Sequence, residues 1–158
     1  MNELSFEIKT TADFYKKLNE DYEEYCRNDI SSRLALNCAM TAWHLTEWVY
    51  HEFQPQLKSR FEDLNMYVNY IEEECPSLKR MHDLANGTKH YFLERYKSEI
   101  EQSNLHHGSF DNSFDRSFDI STLFMVLKDG TKLYFEDEIA KAVLFWENYL
   151  KSEFCLVV

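Results

Sequence analysis

Apolar residues recur at three- and four-residue spacing along most of the chain, the period of helices that bury one face. Phe14, Leu18, Tyr22 and Tyr25 form the first such stripe, and Thr10 or Thr11 supplies a side-chain oxygen to cap a helix running to about Arg27. A second helix is predicted from the Asp29 to Ser32 region as far as Phe53, with Ala35, Cys38, Ala39, Ala42, Leu45 and Val49 on its apolar face. Pro55 separates it from a third helical segment, Leu57 to Glu74, weakened near its centre by Asn65 and Asn69. Pro76 restarts the chain, and Leu78, Met81, Leu84, Ala85 and Phe92 share the next apolar face. Gly87 interrupts that helix at a cost of roughly 1 kcal/mol relative to alanine. It implies close approach of another backbone or ring, or a break in the helix.

Beyond Ser103 the pattern changes to polar residues punctuated by phenylalanine. Ser109-Phe110-Asp111 recurs as Ser113-Phe114-Asp115 and Ser117-Phe118-Asp119, a repeat too short for a solenoid. The segment 103–119 is therefore expected to be a flexible loop with aromatic anchors, suited to a lid or a binding arm. Ile120 to Leu127 and Lys132 to Phe135 flank Asp129-Gly130 and predict a hairpin over 120–135. Two strands alone are marginal, so the hairpin must pack on helices or pair across a dimer. A last helix, Glu136 to Phe154, carries the stripe Ile139, Val143, Trp146 and Leu150. The expected architecture is mainly α: a single-domain helical bundle over 1–158 with an appended C-terminal β-hairpin followed by a final helix.

Composition narrows this picture. Three glycines and two prolines favour long helices, and 44% hydrophobic with 16% aromatic residues excludes a disordered chain. A net charge of -11 excludes a broad basic surface for nucleic acid. It leaves RNA or a nucleotide in a local pocket, or a protein partner docked on an acidic face. No apolar run is long enough to cross a membrane, and Met1 to Thr10 lacks the basic and apolar pattern of a leader, so a cytoplasmic protein with no membrane contact is expected. There Cys26, Cys38, Cys75 and Cys155, with no C-x2-C pair, read as reduced thiols.

The candidate chemistry lies in two polar stripes at helical spacing. One holds Arg33, Asn37, His44, Glu47 and His51, flanked by Trp43 and Trp48; the other holds Asp83, Asn86, His90 and Glu94. On each helix the polar stripe lies roughly opposite the apolar one, as on any amphipathic surface helix. As a metal site the first stripe is poorly spaced, because His44 and His51 stand about 10 Å apart along a helix axis. The His106-His107 pair reads as surface histidines. A metal-free acid–base site needs less coincidence: one histidine moves a proton, Glu47 or Asp83 orients it, and Lys89 or Arg33 stabilises an anion. That scheme calls for no cofactor. It does require the two faces to meet across a cleft.

Leu84-Ala85-Asn86-Gly87-Thr88-Lys89-His90 resembles the motif region of HEPN-like helical domains, in which an arginine and a following polar residue precede a histidine. Asn86 and His90 match the polar residue and the histidine, and Ala85 stands where the arginine would be. The resemblance implies a protein of a bacterial defence or toxin-type system, with a ribonuclease-like or degenerate ligand-binding site and the motif at a homodimer interface. In an active version it implies His90 as the acid–base residue, His44 as its partner with Glu47 and Asp83 in support, and Lys89 as the phosphate contact. Asn86, Arg33 and His51 complete the substrate-binding set. The wider pattern, Ala42-Trp43-His44-Leu45, then Asp129-Gly130 and Phe145-Trp146, also resembles small bacterial proteins of unassigned function. Two further readings stand beside this one: a non-enzymatic module that binds a partner through its acidic surface and the Phe110, Phe114 and Phe118 loop, and a metal-dependent enzyme.

Overall fold

A computed structural model describes residues 4–90 and 96–156. Its elements are α1 (Thr11–Arg27), α2 (Ser32–Glu52), α3 (Gln54–Leu57), α4 (Leu64–Glu74), α5 (Pro76–Lys89), β1 (Ile100–His106), β2 (Thr122–Leu127), β3 (Lys132–Tyr134) and α6 (Phe135–Phe154). The chain is mainly helical, with a small antiparallel sheet ahead of its last helix. Among the described residues no helix is long and apolar enough to cross a membrane.

Local chemistry sets the helix starts. Thr10 and Asp13 form a capping box, with Asp13 N–H donating to Thr10 Oγ1 at 3.1 Å and Thr10 N–H donating to the Asp13 carboxylate at 2.9 Å. Ser31 caps α2, and Pro76 occupies the first turn of α5, where its missing N–H costs nothing. The third helix departs from the expected span. A single turn, α3, precedes α4, which begins only at Leu64 because Asp63 accepts the Met66 N–H at 2.8 Å and caps it.

Helix α2 is the central element, packed by α1, α5, α6 and α4. Its core positions Ala35, Cys38, Ala39 and Ala42 are small, which lets the neighbouring helices approach closely. Larger side chains from those neighbours, Leu18, Tyr25, Tyr67, Ile71, Met81, Ile139, Trp146 and Leu150, are buried along with Leu45 and Tyr50 of α2 itself. The indole N–H of Trp146 donates to the Ala42 carbonyl at 2.9 Å, fixing α6 against α2.

Buried charge is compensated. Glu138, 2% exposed, receives Ser77 Oγ at 2.7 Å, Lys141 Nζ at 2.7 Å and Arg80 Nη1 at 3.1 Å. Burial pushes its carboxyl up, but these three partners outweigh it and hold the pKa below the ordinary 4.5. A lowered folded-state pKa contributes stability above the unfolded value and loses it as pH falls through the folded one. Glu138→Gln is expected to cost about 1–2 kcal/mol at neutral pH. Urea titrations should show that difference shrinking below about pH 4.5.

Gly87 is exposed and meets nothing within 4 Å of the position a Cβ would take, so it permits no close approach. It lies two residues before the end of α5, in the turn where the helix breaks. Gly87→Ala is expected to raise stability by about 0.5–1 kcal/mol in denaturant titration, and a loss would show an unseen constraint there.

The sheet has the order β1-β2-β3, both pairs antiparallel. Leu123, Met125 and Leu127 of β2 face the helices and are buried. The expected hairpin is present as β2 and β3, turning through Lys128-Asp129-Gly130, with positive φ (+86°) at Gly130 and the Asp129 carboxylate accepting the Thr131 N–H at 2.9 Å. Strand β1 was not expected. It occupies 103–106 of the segment assigned to a loop, and its polar run Glu101-Gln102-Ser103-Asn104 carries no apolar alternation.

The remainder of that segment is a hydrogen-bonded ring, not an unstructured connection. Asp111, Asp115 and Asp119 head three equivalent turns, whose main-chain carbonyls accept the N–H of Phe114 at 3.3 Å, Phe118 at 2.9 Å and Phe110 at 3.0 Å. Their carboxylates accept the N–H of Ser113 at 2.9 Å, Ser117 at 2.7 Å and Ser109 at 3.0 Å. The third turn is closed across the neck of the loop, so the last copy of the repeat completes the first. The three rings pack on one another at 4.8, 5.4 and 5.5 Å between centroids. Arg116 ties the ring to α6 through both Asp137 oxygens at 2.7 Å, and Asn112 ties it to Asp29.

Candidate functional site

Three residues of the first polar stripe, His44, Glu47 and His51, line a cleft that Arg33 and Asn37 do not reach, and the second stripe is divided. His44, Glu47, Trp48, His51 and Glu52 of α2 form one wall of an open cleft of about 880 Å³, with Ser5, Lys9, Thr10 and Phe14 opposite. This follows from how the N-terminus is held: the Thr11 N–H donates to Glu52, and Phe14 stacks on Trp48 with ring centroids 4.7 Å apart. Glu47 and His51, one turn apart and exposed, pair at 3.6 Å.

His44 is electrostatically distinct. Desolvation against its neighbours lowers its pKa below 6.5; Glu47 opposes the shift, and Lys89, Lys17 and His82 reinforce it. The shift favours the uncharged ring, with one N–H donor and one nitrogen acceptor, and the side chain remains exposed at the cleft. Lys89, at the end of α5, acts on His44 only through its charge and does not line the cleft. His90 is the exposed C-cap of α5, its N–H donating to the Asn86 carbonyl at 2.9 Å, and it does not line the cleft.

Asp83 faces inward. Its side chain is 1% exposed and receives four donors: Lys79 Nζ at 2.6 Å and the Tyr96 hydroxyl at 2.7 Å on Oδ1, then the N–H groups of Glu99 at 2.7 Å and Ile100 at 3.1 Å on Oδ2. A carboxylate so filled has no lone pair left to orient a histidine. Its work is to attach the start of β1 to α5. Asn86 lies half-buried beside the Tyr96 hydroxyl, whose pKa is pushed up by burial and by Asp83. Arg33 pairs with Glu24 at 3.6 Å near the N-terminus of α2. It stands about 27 Å along the helix from His51 and cannot share a small ligand with it. Glu94 and Phe92 lie outside the described residues.

Sequence spacing missed a second histidine group. His82 stacks on Trp43 with 3.6 Å between centroids and 8° between planes, and its Nδ1 is 2.6 Å from Glu72 Oε1. Tyr96 covers another side of the ring at 4.6 Å. Glu72 and His82 belong to different helices, joined at Cys75-Pro76, and reading that junction as a helical hairpin was the available signal. Trp43 is therefore a packing partner between α2 and α5, whereas Trp48 is the aromatic wall of the cleft.

Among the described residues no group of three or more His, Cys, Asp or Glu side chains is placed to hold a metal ion. The cleft brings together the stacked Phe14–Trp48 pair, the His44 imidazole and charged groups of both signs. No protein-family model matches this chain, and neither a curated protein nor a solved structure is significantly similar to it.

Proposed function

We propose that the protein is a HEPN-like helical domain of a bacterial defence or toxin-type system, acting in the cytoplasm, whose site binds a nucleotide-class ligand without cutting RNA. The observation that carries this reading is the His44 cleft, where Trp48 with Phe14 stacked on it gives an aromatic lining, His44 offers its imidazole nitrogens for hydrogen bonding, and Lys9 stands on the opposite wall. The degenerate form is favoured because Ala85, at the arginine position of the motif, is 6% exposed and turned into the helical packing.

The test uses the ribonucleoside monophosphates as probes, followed by tryptophan fluorescence, alongside RNA incubated with chelator. Saturable quenching is expected, weakened about tenfold or more in His44→Ala, with no RNA cleavage. Absence of quenching with every probe overturns the nucleotide reading, and cleavage that disappears in His90→Ala overturns the degenerate one. The second reading, an acidic protein-interaction module, is favoured by Phe110, Phe114 and Phe118, which are 40%, 43% and 48% exposed. It predicts nucleotide quenching absent in wild type and in the triple Phe→Ser variant alike.

A further inference from the structure

The three-turn loop at 109–119 leaves its aromatic side chains exposed although each packs on the other two. With centroids 4.8, 5.4 and 5.5 Å apart, Phe110, Phe114 and Phe118 touch one another, and no slot for a ligand opens between them. What the cluster offers is its outer surface. The face of each ring is its electron-rich part and attracts cations.

An aspartate follows each of these phenylalanines in sequence. Asp111 and Asp115 are exposed, accept from the serines of their own turns, Ser113 and Ser117, and make no salt bridge among the described residues. Those serine donors hold both carboxyls below the ordinary carboxylate range, so both are charged at neutral pH. Arg116 is the one Lys or Arg of the segment, and its guanidinium is committed to Glu136 and to both oxygens of Asp137. The chain itself shows what aromatic faces beside carboxylates hold. Arg116 lies 4.2 Å from the Tyr134 ring centroid while paired with Asp137, and Lys132 lies 4.1 Å from that of Phe124.

We propose that the surface of Phe110, Phe114 and Phe118 docks a cationic segment of another protein. Its Lys or Arg side chains lie over the ring faces and pair with Asp111 and Asp115, while apolar neighbours cover the ring edges. Charge complementarity selects this occupant, because ring faces and carboxylates attract cations in the same place. RNA, an anionic lipid surface or a second copy of this loop would bring negative charge to the same carboxylates. Screening over about 8 Å at physiological salt makes the aspartates beside the rings decisive, rather than the net charge of -11. This inference rests on the interaction-module reading and supplies the partner's chemistry; it is independent of the His44 cleft.

The full chain is offered a displayed library of random short peptides, and the peptide recovered most often is synthesised and titrated by fluorescence anisotropy. Recovered sequences are expected to be rich in Lys and Arg beside apolar residues. The triple variant Phe110→Ser, Phe114→Ser, Phe118→Ser is expected to bind that peptide about tenfold or more weakly. Asp111→Asn with Asp115→Asn keeps an oxygen for each serine N–H but removes the charge. It is expected to bind about threefold more weakly, with the difference largest at low salt and amide protection at Ser113 and Ser117 unchanged. If the triple variant opens the loop, this pair decides. Glu73→Gln with Glu74→Gln removes the same charge from exposed positions of α4 and is expected to leave affinity unchanged. The proposal is overturned by a library that returns no peptide or only neutral ones, by undiminished binding to the triple variant, or by an Asn pair that binds no more weakly than the Gln pair. Binding of RNA or phosphatidylserine vesicles that is lost in the triple variant overturns it as well. Acidic peptides that need the three phenylalanines overturn the cationic partner but keep the interaction module, and nucleotide quenching at the His44 cleft is decided separately.

Discussion

Asp83→Ala is expected to cost about 3–5 kcal/mol of folding stability, the largest single-residue effect outside the apolar core. The magnitude comes from what the substitution leaves behind: a Lys79 ammonium 15% exposed, a Tyr96 hydroxyl and two main-chain N–H groups, all deprived of their shared acceptor. Each unsatisfied neutral donor costs about 1–3 kcal/mol, and water can relieve only those near the surface. Asp83→Asn keeps the shape and one acceptor oxygen, but turns an NH2 group toward donors, so an intermediate loss is expected. Urea unfolding of the three proteins measures this order. If Asp83→Ala were as stable as wild type yet lost ligand binding, Asp83 would be a site residue and its supporting role would be refuted.

Gly108→Ala is expected to open the three-turn ring while leaving the helical core folded. A Cβ at that position would stand 2.1 Å from the Asp119 carbonyl oxygen and 2.3 Å from the Ile120 carbonyl carbon, both backbone atoms that cannot swing aside. Relief requires the neck to part, which breaks the Phe110-to-Asp119 and Ser109-to-Asp119 hydrogen bonds that close the third turn. The cost is about 1–3 kcal/mol and falls on the loop as local opening. Hydrogen exchange at Ser109, Phe110, Ser113 and Ser117 should quicken, and proteases should cleave within 109–119, with little change in the thermal midpoint. Unchanged protection at Ser109 and Phe110 would mean that closure of the ring does not depend on Gly108.

The helices were legible because their signals are local. Thr10 caps what it was expected to cap, Pro76 opens its helix, and the stripe Ile139, Val143, Trp146, Leu150 faces inward. Asp63 had the chemistry of a cap but sat between Phe61 and Leu64, whose three-residue spacing continues a helical stripe and hid the later start of α4. Strand β1 was illegible for the opposite reason: an edge strand exposed on both faces has no alternation to read. The candidate site divided along the same line. His44, Glu47 and His51 share a face by helical geometry alone, and that face lines the cleft. Asp83 shares a face with Asn86 in the same way, but its partners arrive from Tyr96, Glu99 and Ile100, across a turn that periodicity does not describe. His82 and Glu72 meet only because two helices fold back at Cys75-Pro76.

The closed ring gives this region a grain in length. Its turns repeat every four residues, and closure depends on the last aspartate returning to the first serine. Adding or removing one whole unit preserves every local turn but changes the number of corners, and with it the spacing at the neck. Any other change in length breaks a turn outright. Drift in this segment is therefore stepwise: substitutions at Asn112 or Arg116 can accumulate between the aspartates and serines, whereas insertions are tolerated only as complete copies that re-form the circle with a different number of sides.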